Sequence, residues 1–216
     1  MEAYINGTAC ISPQNTFGQD KFPDAIINHN TEYLSIIPPE YKNIIPPLKL
    51  RRMSKIIRMG VGCGLQSLKD ANVKNPGGII TGTGLGCAQD TEKFLSSMLE
   101  NNEEMLSPTP FIQSTHNTIS AQIALLIGSH EHNFTHVQRG FSFENSLLDA
   151  LMMLAGKEAN NVLLGGLDEI TPNHYKVTKH LGIWKNNAVD IRDLINDKQK
   201  GSIPGEGAAF FTIANK

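Results

Sequence analysis

The sequence has few of the residues on which disulfide-rich and zinc-binding domains depend. Its 216 residues include three cysteines, Cys10, Cys63 and Cys87, which lie far apart and form no CxxC pair. An odd and scattered set of this kind excludes a disulfide framework and a zinc knuckle. It is typical of reduced thiols in the cytoplasm, so we expect a cytoplasmic protein with no metal site.

An excess of one charge and long apolar runs are also missing. Lys and Arg number 19 against 21 Asp and Glu, which gives a net charge of −2. This balance provides no electrostatic attraction for nucleic acid or for an anionic membrane. No apolar run approaches the ~20 residues that a membrane-spanning helix needs, and the first residues lack the basic and apolar regions of a signal peptide. We therefore expect neither nucleic acid nor membrane insertion.

The residues that are present suit a globular core. Hydrophobic residues make up 40% of the chain and charged residues 19%, and a chain of this length buries roughly 70% of its unfolded surface. We predict a single domain over residues 1–216. Residues 13–47 carry six of the 11 prolines and are predicted to form an extended excursion.

Short apolar strands alternate with helical patterns along the chain. Strands are predicted at 3–11, 79–82, 133–137, 161–166 and 208–213, and helices at 50–71, 88–99, 118–127 and 143–155. This alternation predicts an α/β sheet with helices on both faces. Gly60, Gly62 and Gly64 each cost the first long helix about 1 kcal/mol, so we expect another backbone to approach it closely.

The glycine-rich segment 82–87, Gly-Thr-Gly-Leu-Gly-Cys, follows a strand and opens a helix, as a phosphate-binding loop does. Its glycines at x, x+2 and x+4 do not have the dinucleotide-binding spacing, and no GKS/T follows. We interpret the segment as a tight strand-to-helix turn. No nucleotide or other cofactor is expected.

For three histidines and two possible nucleophiles, structural roles are simpler explanations than metal binding or catalysis. His130, His132 and His136 have no carboxylate or cysteine beside them at metal-ligand spacing. Ser142 lacks the G-x-S-x-G elbow of serine hydrolases, and we predict that it caps a helix. Cys87 opens a helix, which lowers the pKa of a thiol, but its small and apolar neighbours favour a packing role.

Five segments, in chain order, resemble the N-terminal half of the β-ketoacyl-acyl carrier protein synthases of the thiolase superfamily. They are Arg51–Met53 with the helix up to Val73, Gly82–Gly86, Phe111–Ser114 with Ala121–Ala124, Gly165–Ile170, and Gly205–Ala209. The correspondence extends over nearly the whole chain. It implies one thiolase-like half, a three-layer α/β/α fold around a mixed five-stranded sheet.

The chain departs from this family in two ways that concern catalysis. The position of the family's acyl-accepting cysteine falls at or beside Gly140, and no cysteine follows Cys87. The family's two catalytic histidines belong to a second homologous half, whereas the last histidine of this chain, His180, lies in the first half. The resemblance therefore implies that the nucleophile and the oxyanion donors are both missing here.

The resemblance then implies a non-catalytic subunit similar to chain-length factors. It would pair with a full-length ketosynthase or with a second copy of itself. It would assist the elongation of an acyl or polyene chain on acyl carrier protein, an indirect partner, in fatty acid or polyketide-type biosynthesis. The candidate dimer edge strand is Phe134, Thr135, His136 and Val137, and the candidate channel or interface residues are Phe111, Ile112, Gln138, Arg139 and Phe141.

Two other functions stay open at the level of the sequence. One is a stand-alone acyltransferase or condensing enzyme that acts on acyl thioesters through Cys87, Ser142 or His136. The other is a homodimeric acyl-binding protein in which two copies take the place of the two halves. A covalent acyl adduct would indicate the first, and a homodimer with bound lipid would indicate the second.

Overall fold

The computed structural model contains one mixed sheet of five strands. It describes residues 2–19, 21–29, 31–185, 190–194 and 196–215. The strands are β1 (Tyr4–Ile11), β2 (Gly78–Gly82), β3 (His132–His136), β4 (Asn161–Asp168) and β5 (Gly207–Ala214). Their order is β1-β5-β4-β2-β3; β2 runs parallel to β3 and β4, and β5 runs antiparallel to β1 and β4. The predicted mixed five-stranded sheet is confirmed.

Helices cover the sheet on both faces. They are α1 (Pro47–Leu50), α2 (Lys55–Asp70), α3 (Ala88–Glu100), α4 (Pro108–Ser114), α5 (Thr118–Ile127), α6 (Ser142–Ala155) and α7 (Pro172–His180). Helices α2 and α5 pack together on one face of the sheet, and α6 packs against β2, β3 and β4 on the other. This is the predicted three-layer α/β/α arrangement.

Strand β4 lies between the two layers of the core. Leu163 is buried in the cluster beneath α2 and α5, whereas Val162 and Leu164 are buried in the cluster beneath α6. A strand that is buried on both faces needs a continuous apolar run, and β4 has one. Because β2, β3 and β4 are parallel, their carboxyl ends meet at one edge of the sheet, where the candidate site lies.

The glycines of α2 allow helix α5 to pack closely, although the contacting atoms differ from our expectation. A Cβ added at Gly60 would lie 2.5 Å from Ile119 Cγ2, and one at Gly64 would lie 2.8 Å from Ile123 Cδ1. The predicted close approach is therefore made by side chains of α5. Gly62 faces the Tyr41 ring, and a neighbouring backbone approaches α2 at Gly7 of β1, where an added Cβ would lie 2.4 Å from the Ser67 carbonyl oxygen.

Three helix predictions need correction. The first long helix begins at Lys55, not at Leu50, because a separate short helix, α1, precedes it. Helices α4 and α7 were not predicted. Both begin with a hydroxyl residue followed by proline, Ser107-Pro108 and Thr171-Pro172. Proline suits the first helical position, whose N–H has no partner within the helix.

The proline-rich excursion is held to the domain by backbone hydrogen bonds. Within residues 13–47, apart from the start of α1, the described part of the chain forms one 3-10 turn, Tyr41–Asn43. The Glu206 N–H donates to the Leu34 carbonyl at 2.9 Å. The boundaries predicted for the domain and the excursion stay predictions. Among the described residues, no helix is both long and apolar enough to cross a membrane.

Candidate functional site

A cavity of about 670 Å³ lies at the edge of the sheet where the parallel strands end. Its lining includes Cys10 of β1, Arg139, Gly140 and Ser142 from the turn after β3, and Asp168 at the end of β4. Ligand sites of α/β sheets commonly lie outside the carboxyl ends of parallel strands. This cavity is therefore the candidate site.

The turn between β3 and α6 is tight and strained. A 3-10 turn, Arg139–Phe141, connects the strand to the helix. The backbone of Arg139 is left-handed, with a φ of 53°, a conformation that costs a residue other than glycine about 1 kcal/mol. Such strain persists only where neighbouring contacts hold the backbone in place.

Ser142 provides those contacts. Its Oγ accepts from the Gln138 N–H at 2.8 Å and lies 2.8 Å from both the Thr83 and the Arg139 carbonyl oxygens, to one of which it can donate. The prediction that Ser142 caps the helix was wrong, because the helix already begins at Ser142. Its hydroxyl points towards the residues that precede the helix. It connects the turn to the Thr83 carbonyl, in the segment after β2.

Gly140 leaves the turn open towards the cavity. A Cβ added there would meet no heavy atom of the described residues within 4 Å. The resemblance predicts the family's acceptor cysteine at or beside this position. Glycine offers no side-chain nucleophile there, although the space for one exists.

The glycine-rich segment after β2 is closed by Asp168. The Asp168 carboxylate accepts from the Thr83 hydroxyl at 2.9 Å, from the Gly84 N–H at 2.9 and 3.1 Å, and from the Leu85 N–H at 3.2 Å. Burial raises the pKa of Asp168, and these hydrogen bonds oppose the shift. A carboxylate therefore occupies the place where a phosphate would bind, which agrees with our interpretation of the segment as a turn.

Burial also raises the pKa values of two groups near the start of α3, Glu169 and Cys87. Glu169 Oε1 accepts from the Gln89 N–H at 2.9 Å, and burial raises the pKa of Glu169 to about 7. The Cys87 side chain is buried, and burial with the nearby Asp90 and Glu169 carboxylates raises its pKa to about 12. The Cys87 thiol is thus protonated at neutral pH and suits packing.

The histidines of β3 are placed beside aromatic and acidic groups. His136 Nε2 lies 3.0 Å from Asp149 Oδ2 on α6. The ring of Phe134 lies 6.2 Å from that of His132 and 4.8 Å from that of His136, measured between centroids. Within the described ranges, no three His, Cys, Asp or Glu residues are grouped so as to hold a metal ion.

Strand β3 forms one edge of the sheet, and its predicted interface residues divide between its two sides. Phe134 is 48% exposed. Val137 was predicted to belong to the strand, but the strand ends at His136, and Val137 follows it with 39% exposure. Thr135 faces inwards, with its Oγ1 at 2.9 Å from Thr81 Oγ1 and 3.1 Å from Ser120 Oγ. Beyond β3, no strand of the described residues pairs with this edge.

The predicted channel residues fall into two places. Arg139 lines the cavity beside Gly140, and Gln138 and Phe141 lie within the same turn. Phe111 and Ile112 lie on α4, where Phe111 contacts Phe94 with ring centroids 5.1 Å apart. Neither α4 residue lines the cavity at Gly140, although both are exposed. A channel or interface role for these five residues stays a prediction.

Asp168 and Glu206 are acidic residues of the site for which the sequence predicts no role. Asp168 lies within the segment Gly165–Ile170, which carries part of the resemblance. A carboxylate directly after a glycine-ended strand could have indicated an acceptor for the amides of a neighbouring turn. Finding that turn required knowing that β2 and β4 are adjacent, as the register Gly82 opposite Gly166 shows.

Comparison with known proteins connects this arrangement to one family. Residues 30–190 match the family described as Beta-ketoacyl synthase, N-terminal domain. No curated protein matches the sequence.

Solved structures share the fold at low sequence identity. One chain of a ketosynthase in complex with its chain length factor from Xenorhabdus doucetiae is 17% identical, with a TM-score of 0.69, and the match covers all of this chain and 80% of that one. The ishigamide ketosynthase/chain length factor is 16% identical, with a TM-score of 0.77, and the match covers 98% of this chain and 58% of that one. A chain from a type II PKS acyl-carrier protein in complex with its ketosynthase is 16% identical, with a TM-score of 0.73. The match covers 98% of this chain and 62% of that one.

Proposed function

Because this chain belongs to the β-ketoacyl synthase N-terminal domain family, we propose that it is a ketosynthase-like subunit that does not itself catalyse condensation. It pairs with an active ketosynthase and shapes the pocket in which an acyl or polyene chain grows on acyl carrier protein. The observation that supports the proposal is Gly140. The turn after β3 opens into the cavity at this residue, which has no side chain.

The side chains considered for catalysis are poorly suited to accept an acyl group. Cys87 is buried, and its raised pKa of about 12 keeps the thiol protonated, whereas thiolate is the reactive form. The Ser142 hydroxyl is buried, accepts from one backbone N–H and can donate to one of two backbone carbonyl oxygens. Cys10 lines the cavity and is partly exposed, so a test for acylation must include it.

The shape of the cavity supports a role in holding an acyl chain. Its volume of about 670 Å³ lies within the range of roughly 300–1,000 Å³ typical of small-molecule sites. Its lining is mostly glycine, alanine and larger apolar residues, among them Ile11, Leu167 and Phe211. Among its polar lining residues, Ser12, Ser142, Asp168 and Glu206 already accept hydrogen bonds from backbone N–H groups. Arg139 adds one cationic side chain to a wall that is otherwise suited to hydrocarbon.

The free edge of β3 supports pairing with another protein. An unpaired edge strand exposes backbone donors and acceptors that another strand can bind. Phe134 and Val137 add exposed apolar side chains beside that edge. The neighbours with the same fold include a ketosynthase with its chain length factor and a ketosynthase with its acyl-carrier protein, which supports a ketosynthase as the partner.

Co-purification tests the partnership. We expect this chain to form a complex with an intact ketosynthase encoded beside its gene, and Phe134→Asp to weaken that complex about tenfold or more, because it places a charge within an apolar contact. Val177→Asp on α7, at a residue 62% exposed, is the matched control and should bind normally. If the chain co-purifies with no such ketosynthase, the proposal is contradicted.

Acylation tests the absence of catalysis. The chain is incubated with radiolabelled acyl thioesters and acyl carrier protein, and peptides are mapped by mass spectrometry. We expect no covalent adduct on any side chain, including Cys10. A stoichiometric adduct would overturn the proposal and indicate a stand-alone acyltransferase.

A further inference from the structure

Arg139 is the one cationic side chain among the described residues that line the cavity beside Gly140. The two carboxylates of the wall are already engaged, since Asp168 accepts hydrogen bonds from the segment after β2 and Glu206 forms an ion pair with Lys55. Within the described part of the chain, no ion pair, hydrogen bond or aromatic ring engages the Arg139 guanidinium. The guanidinium is therefore a free cation at the cavity.

The backbone holds this arginine in a conformation that glycine adopts more readily. Arg139 has a φ of 53°, whereas Gly140, the next residue, does not have a positive φ. A left-handed φ is unfavourable for arginine and carries no penalty for glycine. The backbone therefore does not explain why arginine occupies this position. Residues held in such strain cluster at ligand-binding and catalytic sites.

The rest of the cavity wall suits a hydrocarbon chain. Leu34, Phe143 and Phe211 line it together with Ile11 and Leu167. In apolar surroundings, an anionic group needs a cationic partner to offset the loss of its hydration. A single free cation in an apolar wall thus matches a ligand that has an anionic head and a hydrocarbon tail.

The head group that fits Arg139 best is a carboxylate. A guanidinium can donate two parallel N–H bonds to the two oxygens of a carboxylate, and it neutralises the single charge. A phosphate monoester would bring a charge of about −2 to a wall that already carries the Asp168 carboxylate. Arg139 is exposed, so a ligand can reach it.

We propose that Arg139 binds the carboxylate of a ligand whose hydrocarbon chain lies in the cavity beside Gly140. This role of Arg139 deepens the proposed function and rests on it, because it takes the cavity as the acyl site. It adds the class of chain, one that carries a carboxylate, and the residue that selects it. The carboxylate belongs either to a free fatty acid or to the distal end of a dicarboxylic chain on acyl carrier protein.

Binding of octanoate and of 1-octanol to the isolated chain tests this role. The two ligands have hydrocarbon chains of similar length, and only octanoate is charged at neutral pH. By isothermal titration calorimetry, we expect octanoate to bind at least about tenfold more tightly. Arg139→Gln should remove this preference and leave the affinity for 1-octanol unchanged.

The matched control is Arg51→Gln. Arg51 is also exposed but does not line this cavity, so both affinities should stay those of the original chain. If the two glutamine variants weakened octanoate binding equally, the effect would come from net charge and not from the cavity. Arg139→Lys keeps the charge without the paired N–H donors, and it should retain only part of the preference.

A further variant separates ligand binding from folding. Arg139→Gly suits the left-handed backbone, so its urea midpoint should be at least as high as that of the original chain. The preference for octanoate should nevertheless be lost. Such a loss in a stable variant cannot result from unfolding.

Two thioesters of N-acetylcysteamine distinguish the sources of the carboxylate. The suberoyl thioester ends in a free carboxylate, and the octanoyl thioester does not. Tighter binding of the suberoyl thioester that is lost in Arg139→Gln would indicate a dicarboxylic chain on the carrier. A preference confined to octanoate would indicate a free fatty acid.

Equal affinity for octanoate and 1-octanol, binding of neither ligand, or a preference that persists in Arg139→Gln would overturn the role of Arg139. These results are separable from the partnership with a ketosynthase. A chain that prefers octanoate through Arg139 but co-purifies with no ketosynthase would contradict the partnership alone. A chain that co-purifies with a ketosynthase but binds both ligands equally would contradict the role of Arg139 alone.

Discussion

Two strand-to-helix turns lie side by side at the carboxyl edge of the sheet. The segment from β2 to α3 is closed, because Asp168 accepts hydrogen bonds from the Gly84 and Leu85 amides. The turn from β3 to α6 is open at Gly140, where an added Cβ would meet no described heavy atom within 4 Å. In the closed segment, a Cβ at Gly82 would lie 2.6 Å from the Ser142 carbonyl oxygen.

The two glycines thus have different reasons to be there. Gly82 is required by the backbone that passes over it, whereas nothing around Gly140 excludes a larger residue. Packing therefore does not explain the glycine at position 140, although a buried serine holds the turn around it in shape. The following variants test this contrast.

The largest effect is expected at the closed turn. Gly82→Ala would force a methyl group against the Ser142 carbonyl, and backbone atoms there cannot move aside without shifting α6. We expect a loss of about 3 kcal/mol and a fall in Tm of roughly 10 °C, measured by urea and thermal unfolding. If Gly82→Ala were as stable as the original chain, the contrast between the two glycines would be lost.

A pH-dependent effect is expected at Glu169, beside the closed turn. The pKa of Glu169 is about 7 in the folded chain against an ordinary value of 4.5, so folding favours the protonated form. The stability from this group is complete below about pH 4.5 and is lost as the pH rises through 7. The original chain should lose about 2 kcal/mol more than Glu169→Gln between pH 5 and 8, by urea unfolding at both pH values.

The matched control for this titration is Glu100→Gln, since Glu100 is exposed at the end of α3. Its pH dependence should follow that of the original chain. Equal pH dependence in Glu169→Gln and in the original chain would contradict the burial of an ionisable Glu169.

A smaller effect is expected where Ser142 fastens the open turn. Ser142→Ala leaves the Gln138 N–H without its acceptor and frees the left-handed Arg139 backbone, at a cost of about 1–2 kcal/mol. Ser146→Ala is the matched control, because its hydroxyl donates to a carbonyl within the same helix, Ser142 O, at 2.8 Å. It should cost less than Ser142→Ala in urea unfolding. The reverse order would show that Ser142 does not hold the turn.

The smallest effect on stability is expected at Gly140. Gly140→Cys should change the free energy of unfolding by no more than about 1 kcal/mol, because the new side chain points into open space. The introduced thiol should react with iodoacetamide at least about tenfold faster than the buried Cys63 and Cys87. A thiol at 140 that is protected, or a variant that unfolds, would mean that the turn is not open.

Much of the fold could be predicted from the sequence because periodicity and composition are local properties. The five strands and helix α5 lie close to their predicted places, as the strand Asn161–Asp168 and the helix Thr118–Ile127 illustrate. Helices α4 and α7 are short, and neither was predicted. A hydroxyl residue before each proline, Ser107 and Thr171, was the available indication of a helix start.

The candidate site was only partly predictable. The sequence placed Gly140 in the turn after β3, and it showed that no cysteine follows Cys87. It could not show that Asp168 closes the segment after β2, since Thr83 and Asp168 are 85 residues apart in the chain. It also assigned Ser142 to a helix cap, because the Thr83 carbonyl that approaches its hydroxyl comes from another strand.

The sequence by itself determined the alternation of strands and helices and the absence of a thiol in the turn that contains Gly140, because both depend only on which residues are present and in what order. Tertiary structure alone decided that one glycine turn is closed while its neighbour is open. It also decided that β3 forms a free edge and that Arg139 lines the cavity beside Gly140. These features depend on which strands lie side by side, and the physical reason is that pairing brings together groups that are far apart along the chain.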